Sequence, residues 1–241
     1  MAAAAVVEVT VAAAADGGPA IVGVNIESRA DWNALVFDRP RPVLSSAPVG
    51  GGDVIADRVV NLCVDGPGAI AACDDPAGTF ADIARSRGWA GMTVGLMTGV
   101  AAGNAGVSHE ARAGAEWLAL ATVGFSNAHR AGGPAVTHVG PGTINVVAAT
   151  TLGLTPAARA EALALVAETK AAVLGAHGIA GAGGGTATGT GTDAVAIVGA
   201  PGAADTPYTG YHTVSGRRLA AAVIDAMERS MAAGRGDGRS R

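Results

Sequence analysis

Four short stretches of the chain carry side chains able to do chemistry at a carbonyl group. They are Ser45-Ser46-Ala47-Pro48-Val49-Gly50-Gly51-Gly52, Gly124-Phe125-Ser126-Asn127-Ala128-His129-Arg130, Gly142-Thr143-Ile144-Asn145 and Thr188-Gly189-Thr190-Gly191-Thr192-Asp193. Each sets hydroxyl, carboxamide, carboxylate or imidazole groups beside glycine, close to an apolar run. Cleaving an amide requires an activated nucleophile, donors for the oxyanion and a proton for the departing amine. These are the groups such a site collects, so the sequence reads as an enzyme or a specific small-molecule binder.

Within these stretches Thr143 is the candidate nucleophile, or the residue that orients a water; its other reading is an ordinary β-favouring strand residue. Asn127 and Ser126 are candidate oxyanion donors, or else a strand-end turn of a common kind. His129 is placed to act as acid or base, or is a satisfied structural histidine. Asp193 either orients a hydroxyl or a histidine, or fixes a tight turn through its own backbone. Ser45, Ser46, Gly51, Gly52, Asn61, Arg130, Asn145, Thr190, Thr192 and His212 are candidate substrate contacts. Glycine at 51 and 52 lets the backbone approach a ligand closely.

The elements that must position these groups are short strands followed by helices. Val7 to Val11 alternates with period two, and Ala20 to Ile26 and Arg58 to Val64 are β-branched runs bounded by turn residues. Met92 to Met97, Trp117 to Gly124 and Thr143 to Thr150 read as buried strands. Asp74 to Arg87 predicts a helix, with Asp75 or its neighbour as cap, Pro76 in the first turn and Gly88 as stop. Thr155-Pro156 opens the clearest helix, ending at Gly178, with Leu163, Val166, Val173 and Leu174 inward and Glu161, Glu168 and Lys170 towards solvent. A glycine-rich loop, Gly181 to Gly191, leads to a strand over Ala194 to Val198, and a last helix covers about Gly216 to Met231. No strict strand–helix alternation and no linker emerge. The expectation is therefore one α+β domain over residues 1–232, a mixed β-sheet packed against helices, with a disordered tail over 233–241.

Composition narrows the function. The 241 residues are 49% hydrophobic and 15% charged, enough for a full core, and aromatic residues are only 3%. A net charge of −4 and scattered arginines exclude a nucleic-acid surface. No positive leader and no long apolar run occurs, so a cytoplasmic protein without membrane contact is expected. Cys63 and Cys73 read as buried thiols. Gly183-Gly184-Gly185 does not have the spacing of a nucleotide fingerprint, and its loop runs from a helix into a strand, the wrong order for a phosphate site. The five histidines, His109, His129, His138, His177 and His212, show no metal-ligand spacing, so no metal is expected.

Taken in order, these motifs resemble the adenosylcobinamide amidohydrolase (CbiZ) family over roughly residues 43–230. The resemblance rests on Leu44-Ser45-Ser46-Ala47 with Gly51-Gly52, Val94-Gly95-Leu96-Met97-Thr98, Gly124 to Ala128 with Arg130-Ala131-Gly132, and Gly142-Thr143-Ile144-Asn145. It continues through Glu168-Thr169-Lys170, Ala187 to Asp193, and Tyr208-Thr209-Gly210-Tyr211-His212-Thr213 with Gly216. It implies hydrolysis of the amide that joins the aminopropanol arm to the corrin ring of adenosylcobinamide, giving adenosylcobyric acid for corrinoid salvage. The cobalt corrinoid would be the substrate, and no cofactor is implied; Asn61 and Ser46 would then meet corrin amides. A homo-oligomer stays open. Gly50 stands where the family pattern has Asn, which leaves a corrinoid binder without hydrolytic activity as a second reading. The stretch from Thr143 to the Pro156 helix also resembles the nucleophile strand of self-processing aminopeptidases and ornithine acetyltransferases. That similarity implies a third reading, an amidase of N-terminal-nucleophile type acting on another amide.

Overall fold

The computed structural model describes residues 21–64, 69–112, 114–134 and 142–236. Its elements run β1 (Val24–Ser28), β2 (Trp32–Ser45), β3 (Gly52–Cys63), α1 (Ala69–Asp74), α2 (Pro76–Arg87), β4 (Thr93–Thr98), β5 (Gly106–Arg112) and β6 (Ala115–Val123). There follow β7 (Ala128–His129), β8 (Ile144–Thr150), α3 (Pro156–Ala176), β9 (Gly189–Thr190), β10 (Ala194–Val198) and α4 (Val214–Gly236). Eight strands form one hydrogen-bonded sheet in the order β4-β3-β2-β10-β8-β6-β5, with β1 added to β2; β7 and β9 form a separate pair. The sheet is mixed, since β3–β4 and β8–β10 are parallel while the other pairings are antiparallel.

The long strand β2 gives this sheet its shape. Its register against β3 shifts between Val36 and Arg41, where Asp38, Arg39 and Pro40 are exposed. Before the shift β2 pairs with β1, and beyond it with β10. Such an irregularity bends a strand and raises its twist. The two halves of the sheet thereby stack face to face. Leu35, Val59, Val94 and Leu96 of one half share a buried cluster with Leu118, Leu120, Val147 and Ala196 of the other. Arg41 stitches the bend, donating to the carbonyls of Thr150 (3.3 Å) and Val22 (2.7 Å). Its burial lowers the guanidinium pKa from the usual arginine range, against the raising effect of Asp38.

A helix layer covers each outer face. Phe80 of α2 lies on the outer face of β2 and β3, with Trp32, Ala34 and Val60. On the other side Trp117, Ile144, Val146 and Ile197 meet Leu165, Val166 and Leu174 of α3 and Leu219, Val223 and Met227 of α4. Two hydroxyls pin α4 to β6: Ser215 accepts from the Trp117 indole and Ser230 from the Val123 amide, both at 3.0 Å. The result is an α+β domain with a mixed sheet packed against helices, as the element pattern predicts; the helix–sheet–sheet–helix layering is a feature of the structure that the pattern does not specify.

The helix signals hold in detail. Asp75 caps α2 by accepting from Gly78 N, and Gly88 closes the helix at φ 64°. Thr155 caps α3 by accepting from Ala158 N, and the helix ends at His177 with Gly178 at φ 62°. Several expectations need correction. The run Ala20 to Ile26 supplies strand only from Val24, and β3 begins at Gly52, well before Arg58. Strand β5 and the continuity of β2 go beyond what the sequence pattern predicts. Helix α4 continues past Met231 to Gly236; residues 237–241 and the Val7–Val11 alternation lie outside the described residues. Cys63 is half-buried and Cys73 exposed, so neither is a buried thiol. Lys170 points inward rather than to solvent and is buried. Among the described residues no helix is long and apolar enough to cross a membrane.

Candidate active site

Parallel strands β8 and β10 begin side by side, with Asn145 opposite Ala194. Thr143 and Asp193 each sit one residue ahead of these strands, so the pairing alone brings two separated sequence motifs together. The Thr143 hydroxyl is in contact with the Thr192 hydroxyl and lies 3.5 Å from the Thr192 carbonyl. Thr192 Oγ1 in turn lies 3.4 Å from the Gly142 carbonyl.

Asp193 is the hub of this corner. Its Oδ1 accepts from Ile144 N (2.9 Å) and Thr190 Oγ1 (2.5 Å), while Oδ2 accepts from Thr190 N (3.0 Å) and Lys170 Nζ (2.7 Å). A carboxylate offers about four lone-pair sites, and all four are taken. Asp193 therefore orients a hydroxyl and fixes the Thr190–Asp193 turn, so both readings of it apply. Lys170 was missed as a site residue because helical periodicity sets it on the polar side; its partner lies on another element.

The β7–β9 pair carries the second wall, with Ala128 opposite Thr190 and His129 opposite Gly189. Asn127 is buried, and its carbonyl accepts from Gly191 N at 3.2 Å. Its side-chain oxygen lies 2.7 Å from His129 Nε2, whereas its Nδ2 is buried with no hydrogen-bond partner among the described residues. A methyl group added at Gly142 would fall 2.7 Å from Asn127 N and 2.5 Å from Ser126 Oγ, and one at Gly191 would fall 2.9 Å from Asn127 Nδ2. Thr143, Thr190, Thr192, Asp193, Ser126, Asn127 and His129 thus converge. Arg130 flanks them, exposed, donating to the Thr186 carbonyl at 3.2 Å.

Other predicted contacts are differently used. Asn145 Nδ2 donates to Asn61 Oδ1 (2.7 Å) and to the Met97 carbonyl (2.8 Å), and its oxygen accepts from Ala194 N (3.2 Å). Asn61 Nδ2 donates to Thr122 Oγ1 at 3.0 Å. Both asparagines are almost completely buried between the sheet halves. They are a polar clamp joining β3, β4, β6, β8 and β10, their amides bonded to protein groups. Ser45 and Ser46 both bind the backbone of Val195, two residues from Asp193, and Ser45 also accepts from Ala47 N. Gly51 precedes β3 and Gly52 opens it, pairing with Ser45.

His212 is not brought to this corner. It is exposed beside the start of α4, its ring centroid 5.9 Å from that of Tyr208. The adjacent Thr209 N donates to Glu161 in α3, nine residues before Lys170, which is about 13 Å along the helix axis. Gly50 has φ 63°, and a Cβ there would fall 2.6 Å from the Thr93 carbonyl oxygen. The departure from Asn at this position is thus demanded by packing against β4 in this chain. No group of three or more potential metal ligands occurs among the described residues.

A buried Thr143 hydroxyl beside the exposed Thr192 hydroxyl, a carboxamide donor unpartnered among the described residues and a carboxylate accepting four hydrogen bonds, all at paired strand starts, are the parts of a hydrolase site on an α+β scaffold. The family model for adenosylcobinamide amidohydrolase (CbiZ) matches residues 20–238, and the chain belongs to that family. No curated protein matches it. Among solved structures it is similar to the PH0078 protein from Pyrococcus horikoshii OT3, at 12% identity over 89% of this chain and 80% of that one, TM-score 0.46. A Burkholderia sp. beta-aminopeptidase is similar at 16% identity over 86% of this chain and 80% of that one, TM-score 0.46. The L-aminopeptidase D-Ala-esterase/amidase from Ochrobactrum anthropi, a variant of the Ntn hydrolase fold, is similar at 15% identity over 88% and 82%, TM-score 0.41.

Proposed function

We propose that the protein hydrolyses the amide linking aminopropanol to the corrin ring of adenosylcobinamide, releasing adenosylcobyric acid. Family membership supports the substrate. The observation that carries the chemistry is the buried Asn127 Nδ2 without a partner among the described residues, close to the Thr143 corner. A buried donor left unsatisfied costs about 1–3 kcal/mol, and a substrate carbonyl oxygen is the partner that would repay it.

In this reading the Thr143 oxygen attacks the amide carbon, and the carbonyl π pair moves onto oxygen, where Asn127 Nδ2 donates to it. Collapse breaks the C–N bond, aminopropanol leaves carrying the proton lost by Thr143, and water then hydrolyses the Thr143 ester to the acid. The Thr192 hydroxyl is the first group through which that proton can pass. Asp193 has no free lone pair and holds the geometry. Ser126, Arg130, Thr190, Ser46 and the Gly51-Gly52 turn line the approach.

Incubation with adenosylcobinamide, followed by chromatography for adenosylcobyric acid and aminopropanol, tests the proposal. Stoichiometric release of both is expected. Tight corrinoid binding without products would favour the binding-protein reading. One observation favours a maturation step: Asp193 already accepts four hydrogen bonds, no other carboxylate bonds to this corner among the described residues, and an α-amino group freed at Thr143 would serve as base. Denaturing gels distinguish the two forms, showing an intact chain or fragments ending at Gly142 and beginning at Thr143.

A further inference from the structure

Sixteen basic residues occur in the sequence, and Lys170 is the one lysine among them. It is 5% exposed, on the face of α3 that carries the buried residues Val166, Thr169, Val173 and Leu174. A lysine there is unfavourable unless its charge is matched, and its match is Asp193 at 2.7 Å. Removing the ammonium would leave a nearly buried carboxylate uncompensated beside the place where an oxyanion must develop.

We infer that Lys170 is a positioning residue for the reaction proposed above, on which this inference rests. Lys170 holds Oδ2 of Asp193, so that Oδ1 stays on the amide of Ile144 and on the hydroxyl of Thr190. Ile144 directly follows Thr143, and Thr190 is paired with Ala128, next to Asn127. One ion pair thereby fixes the nucleophile on one side and the oxyanion donor on the other. It also makes the corner electrically neutral before the substrate arrives. Lys170 touches neither substrate nor reacting atoms, so its loss should appear in turnover and leave binding intact.

The test compares Lys170→Met and Lys170→Arg with the wild-type protein, by steady-state kinetics on adenosylcobinamide and by amide hydrogen exchange. Lys170→Met is expected to lower kcat about 10²-fold, the effect of displacing reacting groups by about an ångström, with KM within about threefold. The Ile144 and Thr190 amides should exchange at least about tenfold faster, as expected for bonds to a carboxylate that is no longer held. Lys170→Arg, which keeps the charge, should restore protection at both amides and most of the turnover. A Lys170→Met protein with wild-type kcat, or with unchanged exchange at Ile144, overturns the inference. If Lys170→Met does not fold, the arginine variant decides: lost turnover with intact Ile144 protection overturns it. If the wild-type protein releases no adenosylcobyric acid, the substrate proposal fails, and the exchange data alone still decide whether Lys170 holds the corner.

Discussion

The two ends of strands β8 and β10 use the same residue types to opposite effect. Where the strands begin, Thr143, Thr190 and Thr192 meet one another and a carboxylate, and Asn127 keeps a buried amide unpartnered. Where they end, Thr155 caps α3, Thr209 Oγ1 donates to the Ala158 carbonyl, and Thr213 donates to Gly210 while accepting from Gly216 N. At that second end the hydroxyls terminate on backbone, so they secure helix starts. Tyr208, Tyr211 and His212 are exposed there. Polar residues beside glycine thus indicate chemistry only where their groups converge on one another with some capacity unfilled.

The comparison can be broken by substitution at either end. Thr143→Ala should reduce turnover of adenosylcobinamide about 10⁶-fold, as loss of an attacking hydroxyl does elsewhere, while the protein still binds corrinoid; near-normal turnover would remove Thr143 from the chemistry. Asn127→Ala should lower kcat about 10²–10³-fold with little change in KM, the usual effect of losing one oxyanion donor. For Asn145→Ala the readout is stability. Asn61 Oδ1, the Met97 carbonyl and Ala194 N lose their partner, and denaturant unfolding should show a loss of about 3–9 kcal/mol, built from about 1–3 kcal/mol for each of the three stranded groups. An Asn145→Ala protein of normal stability but poor substrate binding would return Asn145 to the substrate. His212→Ala should leave turnover within about twofold, as for an exposed residue away from the site.

Much of this arrangement was legible in the sequence, and the exceptions have physical causes. Helices α2 and α3 announce themselves because caps are local: Asp75-Pro76 and Thr155-Pro156 start them, and Gly88 and Gly178 stop them. Strands β4, β6, β8 and β10 are buried apolar runs and read as such. Strand β2 is hidden because Asp38-Arg39-Pro40-Arg41-Pro42 resembles a break, whereas the bulge lets those residues reach solvent or, for Arg41, carbonyls on other segments. The convergence of Thr143 with Asp193 follows from the parallel pairing of β8 with β10, which no local pattern encodes. The burial of Lys170 and the bonds between Asn61 and Asn145 are hidden for the same reason: a polar side chain at an inward position is satisfied by partners remote in sequence. The amphipathic pattern of α3 shows a charge and predicts solvent, but Asp193 was the better neighbour.

The central claim, that the β8–β10 strand starts receive the scissile amide, is tested most directly by a crystal structure of Thr143→Ala with adenosylcobinamide bound. The account predicts the amide carbon about 3–3.5 Å from where the missing hydroxyl would stand, and the carbonyl oxygen within hydrogen-bond reach of Asn127 Nδ2. Finding that amide at the opposite end, among Tyr208, Tyr211 and His212, would contradict it.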